Sequence, residues 1–244
     1  MEAALLYSTF ARAIDEAIPR HERKFIVPLE SIIEVEKLCR FNHLKISRIY
    51  PERRINNIYF DTPYFRFYRN SIEGLSDRLK IRIRWYGDIL QNNIFPVLEI
   101  KTKKNNLGFK INYTLGNLRL NNITTPDDIA TWLQNQQLPD EILHILDSLK
   151  PVLINSYLRN YWMTENSEYR LTLDKDIAYS SFGCITDRMI LNMHHDYYAI
   201  LEIKNHPDED ITIEELTGSF LPRLARYSKY TNGVDVLYNY LSLS

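Results

Sequence analysis

Residues 78–87 read RLKIRIRWYG, and this stretch decides how the rest of the chain is interpreted. In a β-strand, successive side chains point to opposite faces of the sheet, so residues two apart share a face. Lys80, Arg82 and Arg84 would therefore line one face, while two isoleucines and a tryptophan line the other. The stretch predicts a strand with one strongly cationic face and one apolar face.

The same alternation of charged and apolar residues recurs in residues 20–26, 98–103, 170–174 and 201–204. For any single strand, a wet face and a buried face are the simplest interpretation, because antiparallel sheets are commonly built that way. Across the set, the charged faces repeat arginine and lysine around Glu22, Glu99 and Glu202. Helix candidates between the strands also need apolar surface to cover. We therefore expect a closed sheet with its charged faces turned inward.

Helix and strand candidates alternate along the whole chain. The helix candidates are 3–17, 29–41, 64–74, 126–149, 211–220 and 234–243. The strand candidates are 20–27, 55–62, 78–87, 94–103, 108–115, 151–163, 168–179 and 188–204. No repeat, low-complexity tract or linker interrupts them. The pattern predicts an α+β fold, with an N-terminal helix over residues 1–19 and one antiparallel domain over residues 20–244.

Composition narrows the function classes. The 244 residues carry a net charge of -1, and a general nucleic-acid-binding domain would have a basic excess, so no nucleic-acid partner is expected. The seven glycines form no phosphate-binding loop. Two cysteines give no disulfide framework, which favours the cytoplasm. No apolar run reaches the ~20 residues of a spanning helix, so membrane action would require a separate membrane-protein partner.

An inward cationic lining is costly, because like charges repel one another and lose water. It persists around water and an anionic ligand that is multiply charged and long enough to meet many strands. Polyphosphate or a nucleoside triphosphate such as ATP satisfies both conditions. The glutamates would either separate the cations as ion-pair partners or hold Mn²⁺ or Mg²⁺ beside phosphate oxygens.

The chain resembles the vacuolar transporter chaperone (VTC) domain, the polyphosphate polymerase branch of the triphosphate tunnel metalloenzymes, whose fold is also called CYTH-like. The similar segments run in the family's order and cover most of residues 20–232. They are RHERKF (20–25), NNIYFDT (56–62), FYRNSIEGLSDRLKIRIRWYGD (67–88), PVLEIKTK (96–103), GFK (108–110), YLRNYW (157–162), YRLTLDKDI (169–177), AILEIKN (199–205) and YSKY (227–230).

The resemblance implies an eight-stranded antiparallel β-barrel, with helices packed outside and a basic tunnel that holds a triphosphate and Mn²⁺ or Mg²⁺. It implies a catalytic set of Lys24, Arg82, Arg84, Arg159 and Arg170. It implies further phosphate contacts from Lys101, Lys110, Ser228 and Lys229, which Lys204 joins because it shares a strand face with Glu202. The metal ligand would be Glu202, with Glu22 as a second.

This implied lining has nine basic residues against three glutamates, a net charge of +6, which leaves -7 on the rest of the chain. The wider superfamily begins with Glu-x-Glu-x-Lys, whereas this chain has Arg20-x-Glu22-x-Lys24. One metal-binding carboxylate is thus replaced by a cation, which favours polymer handling over hydrolysis.

The leading hypothesis is a metal-dependent polyphosphate polymerase that transfers the γ-phosphate of ATP to a growing chain. One alternative is a tripolyphosphatase, in which Lys24 or a glutamate activates water. Another is a non-catalytic module that binds polyphosphate or triphosphate beside a membrane partner. The pair Asp174-x-Asp176 could hold a metal, but an ion pair between Asp174 and Arg170 at the strand end is the preferred interpretation.

Overall fold

A computed structural model describes residues 21–104, 107–120, 125–183, 192–205 and 223–238. The predicted helices over 1–19 and 211–220 lie outside these described residues. Residues 184–191, which include the first residues of the strand predicted over 188–204, lie outside them as well.

The described chain is dominated by one antiparallel sheet, and eight of its ten strands have eight or more residues. The strands are β1 (His21–Pro28), β2 (Ser47–Asp61), β3 (Arg78–Tyr86), β4 (Val97–Lys104), β5 (Leu107–Thr114), β6 (Lys150–Met163), β7 (Tyr169–Ser181), β8 (His194–His195), β9 (Tyr198–Asn205) and β10 (Arg223–Leu224). The predicted antiparallel α+β class is confirmed. Strand β2 begins at Ser47, well before the predicted residue 55.

Hydrogen-bonded neighbours follow the order β10-β1-β9-β7-β6-β2-β3-β4-β5, with β8 beside β7. Within the described residues, β5 pairs with β4 alone, so the ladder is open between β5 and β10. Side chains from β1, the second strand of this order, and from β5, the last, nevertheless line the same cavity. The sheet therefore curves around a common interior, and the closed barrel stays a prediction.

Five helices accompany the sheet in the described residues: α1 (Ile32–Phe41), α2 (Arg66–Ile72), α3 (Pro126–Gln134), α4 (Asp140–Asp147) and α5 (Lys229–Leu237). The single helix predicted over 126–149 is two helices, because Pro139 starts a new one after a short break. Thr125 begins α3 with a capping box, in which its side chain and that of Asp128 bond each other's backbone N–H.

Three of the helices cover the outer, apolar face of the sheet. Helices α3 and α4 pack Ile129 and Ile142 into one core with the β3 residues Ile81 and Ile83. Helix α1 packs Val35 into a second core beside β1, β7 and β9. This burial explains why the apolar residues of β3 face outward and the cations between them face inward.

Helix α5 departs from the predicted arrangement, in which every helix lies outside. Its Tyr230 and Val234 pack with Tyr59 and Ile200, and Tyr59 lines the interior of the sheet. The Tyr230 ring stacks on that of Tyr59 with centroids 5.1 Å apart. Ile200 lies two residues from the inward Glu202 and so shares its face. Helix α5 therefore closes one side of the interior instead of covering the outer surface.

Helix α5 also begins at Lys229, five residues before the predicted start. The side chain of Ser228 accepts a hydrogen bond from the backbone N–H of Thr231, which caps the first turn. Gly233, a poor helix former, lies inside this helix because an added Cβ would meet Tyr179 at 2.6 Å. No helix in the described residues is long and apolar enough to cross a membrane.

Candidate functional site

The concave face of the sheet encloses a cavity of about 690 Å³. Its wall contains all twelve residues that the sequence proposed for the site. These are Glu22, Lys24, Arg82, Arg84, Lys101, Lys110, Arg159, Arg170, Glu202, Lys204, Ser228 and Lys229. The remaining wall residues are Tyr59, Lys80, Tyr86, Glu99, Asn112, Tyr157, Tyr161, Thr172 and Tyr227.

Strand geometry explains how most of these side chains come together. On β3 the residues Lys80, Arg82, Arg84 and Tyr86 all line the cavity, while the residues between them are buried beneath α3 and α4. The register of the ladder then brings remote positions face to face, such as Arg82 opposite Glu99. A local alternation and a tertiary register together produce the cationic wall.

Among the described residues, Glu99 is the single carboxylate shared by three cations of the wall. Its Oε2 accepts a 2.7 Å bond from Arg82 Nε and a second bond from Arg82 Nη2. Its Oε1 lies 3.1 Å from Arg84 Nη1 and 2.7 Å from Lys110 Nζ. Burial alone would raise the pKa of Glu99, but Arg82 and Lys110 outweigh it and hold the pKa below its usual value. Both oxygens are occupied, so Glu99 orients cations.

Asp174 is fully buried and holds a second pair of cations. Its two oxygens accept bonds of 2.5 and 2.6 Å from Arg159, and Oδ2 also accepts a bond from Lys229 of helix α5. The predicted ion pair between Asp174 and Arg170 is wrong, because side chains four residues apart on a strand start about 13 Å apart. Asp176 instead pairs with Arg54 at 2.6 Å.

Glu22 and Glu202 form a third group with two lysines. Lys24 Nζ lies 2.7 Å from Glu22, and Lys204 Nζ lies 2.7 Å from Glu202 and 3.4 Å from Glu22. Burial would raise the pKa of Glu202, yet Lys24 and Lys204 hold it well below its usual range. Burial would lower the pKa of Lys24, yet Glu202 and Glu22 raise it. Glu22, Glu202 and Lys24 are therefore charged at neutral pH.

Three cations of the wall have no carboxylate within 4 Å among the described residues: Lys80, Lys101 and Arg170. Lys80 donates a 2.8 Å bond to the Ser228 hydroxyl, and burial together with Lys24 lowers its pKa to about 8. The charge of Arg82, followed by burial, lowers the pKa of Lys101 to about 7. These three groups therefore face the cavity without a carboxylate partner, and Lys80 and Lys101 hold their protons less tightly than ordinary lysines.

Helix α5 enters the site through contacts that tie together distant parts of the sequence. The buried carboxylate of Asp61 accepts backbone bonds from Phe67 and Tyr68 at 2.9 Å, which fixes α2, and it also accepts a bond from the Tyr230 hydroxyl. The backbone carbonyl of Tyr227 accepts a 3.3 Å bond from Lys24. These contacts hold Ser228 and Lys229 against the cationic wall.

The residues that sequence reasoning missed could have been found from the same alternation. The alternation places Lys80 on the cationic face but assigns it no role in the site; Tyr86 lies two residues from Arg84 on β3, and Tyr157 and Tyr161 flank Arg159 in the same way. Asn112 lies two residues from Lys110 on β5. The alternation does not identify Tyr59 as a wall residue, because the surroundings of the Tyr59 side chain depend on how helix α5 packs against it.

The carboxylates of the cavity wall can be compared with the ligands that a divalent cation prefers. Mg²⁺ and Mn²⁺ are commonly held by one or two carboxylates together with phosphate oxygens and water. Glu22 and Glu202 supply such a pair: each lies 2.7 Å from one lysine, but the nearest lysine to Glu202 Oε2 is 4.0 Å away, whereas both oxygens of Glu99 and of Asp174 contact cations closely. Within the described part of the chain, no group of three or more acidic, histidine or cysteine side chains forms a metal site by itself. The donor set fits a cation shared with phosphate.

Comparison with known proteins decides the family of this chain. A sequence model of the VTC domain matches residues 19–238, which is most of the chain. The chain belongs to the VTC domain family. The VTC domain is 25% identical over 261 residues to the vacuolar transporter chaperone complex subunit 4 of Trypanosoma cruzi, a match that covers 88% of this chain and 31% of that protein. It therefore spans about a third of the length of this curated relative.

Two solved structures are similar to this VTC domain at low sequence identity. The PH1819 protein of Pyrococcus horikoshii has a TM-score of 0.47 and 14% identity, covering 89% of this chain and 99% of that chain. A protein of Bacillus halodurans has a TM-score of 0.44 and 14% identity, covering 91% of this chain and 89% of that chain.

Proposed function

We propose that this VTC domain is a metal-dependent polyphosphate polymerase that transfers the γ-phosphate of ATP to a growing polyphosphate chain. One observation carries the proposal. Ten lysine and arginine side chains, from seven strands and helix α5, line one cavity against three glutamates. Such an excess of inward cations is stable only with a polyanion and water inside.

The paired carboxylates give this wall a second property. Glu99 holds Arg82 in a fixed orientation, and Asp174 does the same for Arg159. An arginine held on one side by a carboxylate still has N–H groups that can bind phosphate oxygens in a bidentate manner. The site is thereby preorganised for a triphosphate, and electrostatic stabilisation by preorganised groups is the main source of catalysis in phosphoryl transfer.

In the transfer itself, a terminal oxyanion of polyphosphate attacks the γ-phosphorus of ATP and forms a new P–O–P bond. The bond between the γ-phosphorus and the bridging β,γ-oxygen breaks, and ADP leaves with the electron pair. The acceptor is already ionised, so the step needs no general base. Arg82, Arg84 and Arg159 would bind and orient the phosphates. A divalent cation held by Glu202 and Glu22 would neutralise part of the phosphate charge.

The protonation states of the wall favour transfer to polyphosphate over transfer to water. Hydrolysis would need a base, and the sequence offered Lys24 or a glutamate for that role. The pKa of Lys24 is raised, and those of Glu22 and Glu202 are lowered, so none of them suits the removal of a proton from water at neutral pH. Lys101 has a pKa of about 7, but phosphate binding would make it take up a proton, so it would not act as the base either.

The decisive experiment is incubation of the purified protein with ATP and Mn²⁺, followed by separation of polymer from orthophosphate. Polymer formation is expected, and Glu202→Gln and Arg82→Ala should abolish it. Arg170→Ala should reduce it without unfolding the protein, because Arg170 has no carboxylate partner among the described residues. Arg40→Ala, an exposed cation on α1 outside the cavity, is the matched control.

Other products would assign a different function. Orthophosphate without polymer would contradict the polymerase proposal and support the tripolyphosphatase. Tight binding of tripolyphosphate with no turnover in Mn²⁺ or Mg²⁺ would support the non-catalytic binding module. If Glu202→Gln synthesises polyphosphate at the wild-type rate, Glu202 is not a metal ligand.

We further propose that the domain works in the cytoplasm at the inner face of a membrane, through a separate membrane-protein partner. The motivation is the low cysteine content and the similarity to a subunit of a vacuolar transporter chaperone complex. Cell fractionation with the full chain tests this, since recovery only in the soluble fraction, at low and high salt alike, would contradict it.

A further inference from the structure

An aromatic group surrounds one arginine beside the cavity. The guanidinium carbon of Arg53 lies 4.6 Å from the ring centroid of Tyr50, 5.7 Å from that of Tyr86 and 5.9 Å from that of Tyr161. The rings of Tyr50 and Tyr161 meet edge to face with centroids 5.6 Å apart. Tyr86 and Tyr161 are also part of the cavity wall. We call these four residues the aromatic rim.

Strand β3 gives the position of the rim relative to the phosphate-binding arginines. Arg82, Arg84 and Tyr86 follow one another on the cavity face, and Tyr86 is the last residue of the strand. Each step of two residues advances about 7 Å along a strand. Arg82 is 9% exposed, whereas Tyr86 is 47% exposed. The tyrosine ring thus lies one step beyond the arginines, where the cavity opens.

The rim has binding capacity that the protein itself does not use. Among the described residues, Arg53 has no carboxylate within 4 Å, and its charge lies against aromatic rings. The Arg53 guanidinium carbon lies 5.7 Å from the Tyr86 ring centroid and restricts that ring on one side, while Tyr86 is 47% exposed and so presents ring surface to solvent. A restricted ring with an open face is the arrangement on which a nucleobase stacks, and every base has a π-face that suits it.

We propose that the aromatic rim binds the nucleoside part of a nucleoside triphosphate, with the base stacked on Tyr86 and Arg53 beside the ribose and the α-phosphate. This inference rests on the proposed function, because the triphosphate must lie along Arg82 and Arg84. It adds a means of distinguishing a nucleoside triphosphate from an inorganic triphosphate or the end of a polymer. Stacking tolerates any base, so ATP and GTP should bind with affinities within a few-fold of each other.

The test compares the dissociation constants of ATP and inorganic tripolyphosphate by calorimetry, with excess Mg²⁺ and the full chain. Tyr86→Ala should weaken ATP binding about 5- to 100-fold and change tripolyphosphate binding less than about twofold. Tyr86→Phe, which keeps the ring, should restore most of the ATP affinity. Tyr197→Ala removes an 83% exposed tyrosine outside the cavity wall and is the control for surface change.

Three results would overturn the proposal. If Tyr86→Ala leaves ATP binding unchanged while wild-type protein binds both ligands, the rim does not bind the base, and the triphosphate site stands. An equal loss for both ligands also overturns it, since Tyr86 would then act on the phosphates. If wild-type protein binds neither ligand, the proposed function fails with it.

Discussion

Replacing Glu99 with glutamine removes one negative charge from the cavity wall and leaves the side-chain shape almost unchanged. Both oxygens of Glu99 are engaged, Oε2 by Arg82 and Oε1 by Arg84 and Lys110. Whichever way a glutamine amide turns, its NH₂ group faces a cation in place of an acceptor. The substitution therefore leaves three neighbouring positive charges without their common partner.

The size of the effect follows from burial. Removing one partner of a buried ion pair costs about 3–5 kcal/mol, whereas an exposed pair contributes about 0–1 kcal/mol. The side chains of Arg82 and Glu99 are 11% and 5% exposed, and that of Lys110 is 41% exposed. Arg84 is also buried, at 13% exposed, so the Arg82 and Arg84 pairs dominate and the Lys110 pair contributes little. Because water in the cavity can solvate part of the freed charge, we expect the lower limit, a loss of about 3 kcal/mol.

Thermal unfolding followed by circular dichroism measures this loss. For a domain of this size, 1 kcal/mol corresponds to about 2–4 °C, so the unfolding midpoint should fall by roughly 6–12 °C. Glu165→Gln is the matched control, because Lys45 and Glu165 also lie 2.7 Å apart but are 72% and 66% exposed. That variant should lose less than about 1 kcal/mol. Equal, small shifts in the two variants would refute the argument from burial.

Three other groups give measurable outcomes. Lys101, with a pKa of about 7, takes up a proton when phosphate binds, so tripolyphosphate affinity should fall from about pH 7 to about pH 9. By calorimetry the fall should be smaller in Lys101→Arg, and equal slopes would contradict this. Gly233→Ala should lose about 2 kcal/mol on thermal unfolding, because its Cβ would lie 2.6 Å from a tyrosine ring carbon, whereas Gly183→Ala, with no atom within 4 Å, should lose little. Burial raises the pKa of Cys39 to about 12, so in a Cys184→Ser background a thiol reagent should label the unfolded protein far faster than the folded one; rapid labelling of the folded protein would contradict this.

Much of the fold could be predicted because strand periodicity is a local property. The alternation in residues 78–87 correctly separates the cavity face of β3 from its buried face. The paired LEIK segments likewise place Glu99 and Glu202 on cavity-facing positions. In each case the two faces of one strand differ so sharply in polarity that only the apolar face can be buried, and the charged face must line the cavity.

Helix boundaries were less predictable where a local signal opposed a tertiary contact. Glycine is a poor helix former, so Gly233 argues against a helix that begins at Lys229. The predicted helix accordingly starts at residue 234, directly after Gly233. In the structure the absence of a side chain at Gly233 is what lets α5 approach Tyr179 and Leu153. Propensity disfavours glycine in a helix, and close packing selects it.

By itself, the sequence determined that this protein has an antiparallel sheet with cationic and apolar faces, and which side chains belong to the cationic one. Tertiary structure alone decided which carboxylate holds which cation. Asp174 contacts Arg159 across a ladder and Lys229 from the last helix, 55 residues away. The physical reason is that a side chain's direction depends on its own strand, whereas its partner depends on strand register and helix docking, which arise from the whole folded chain.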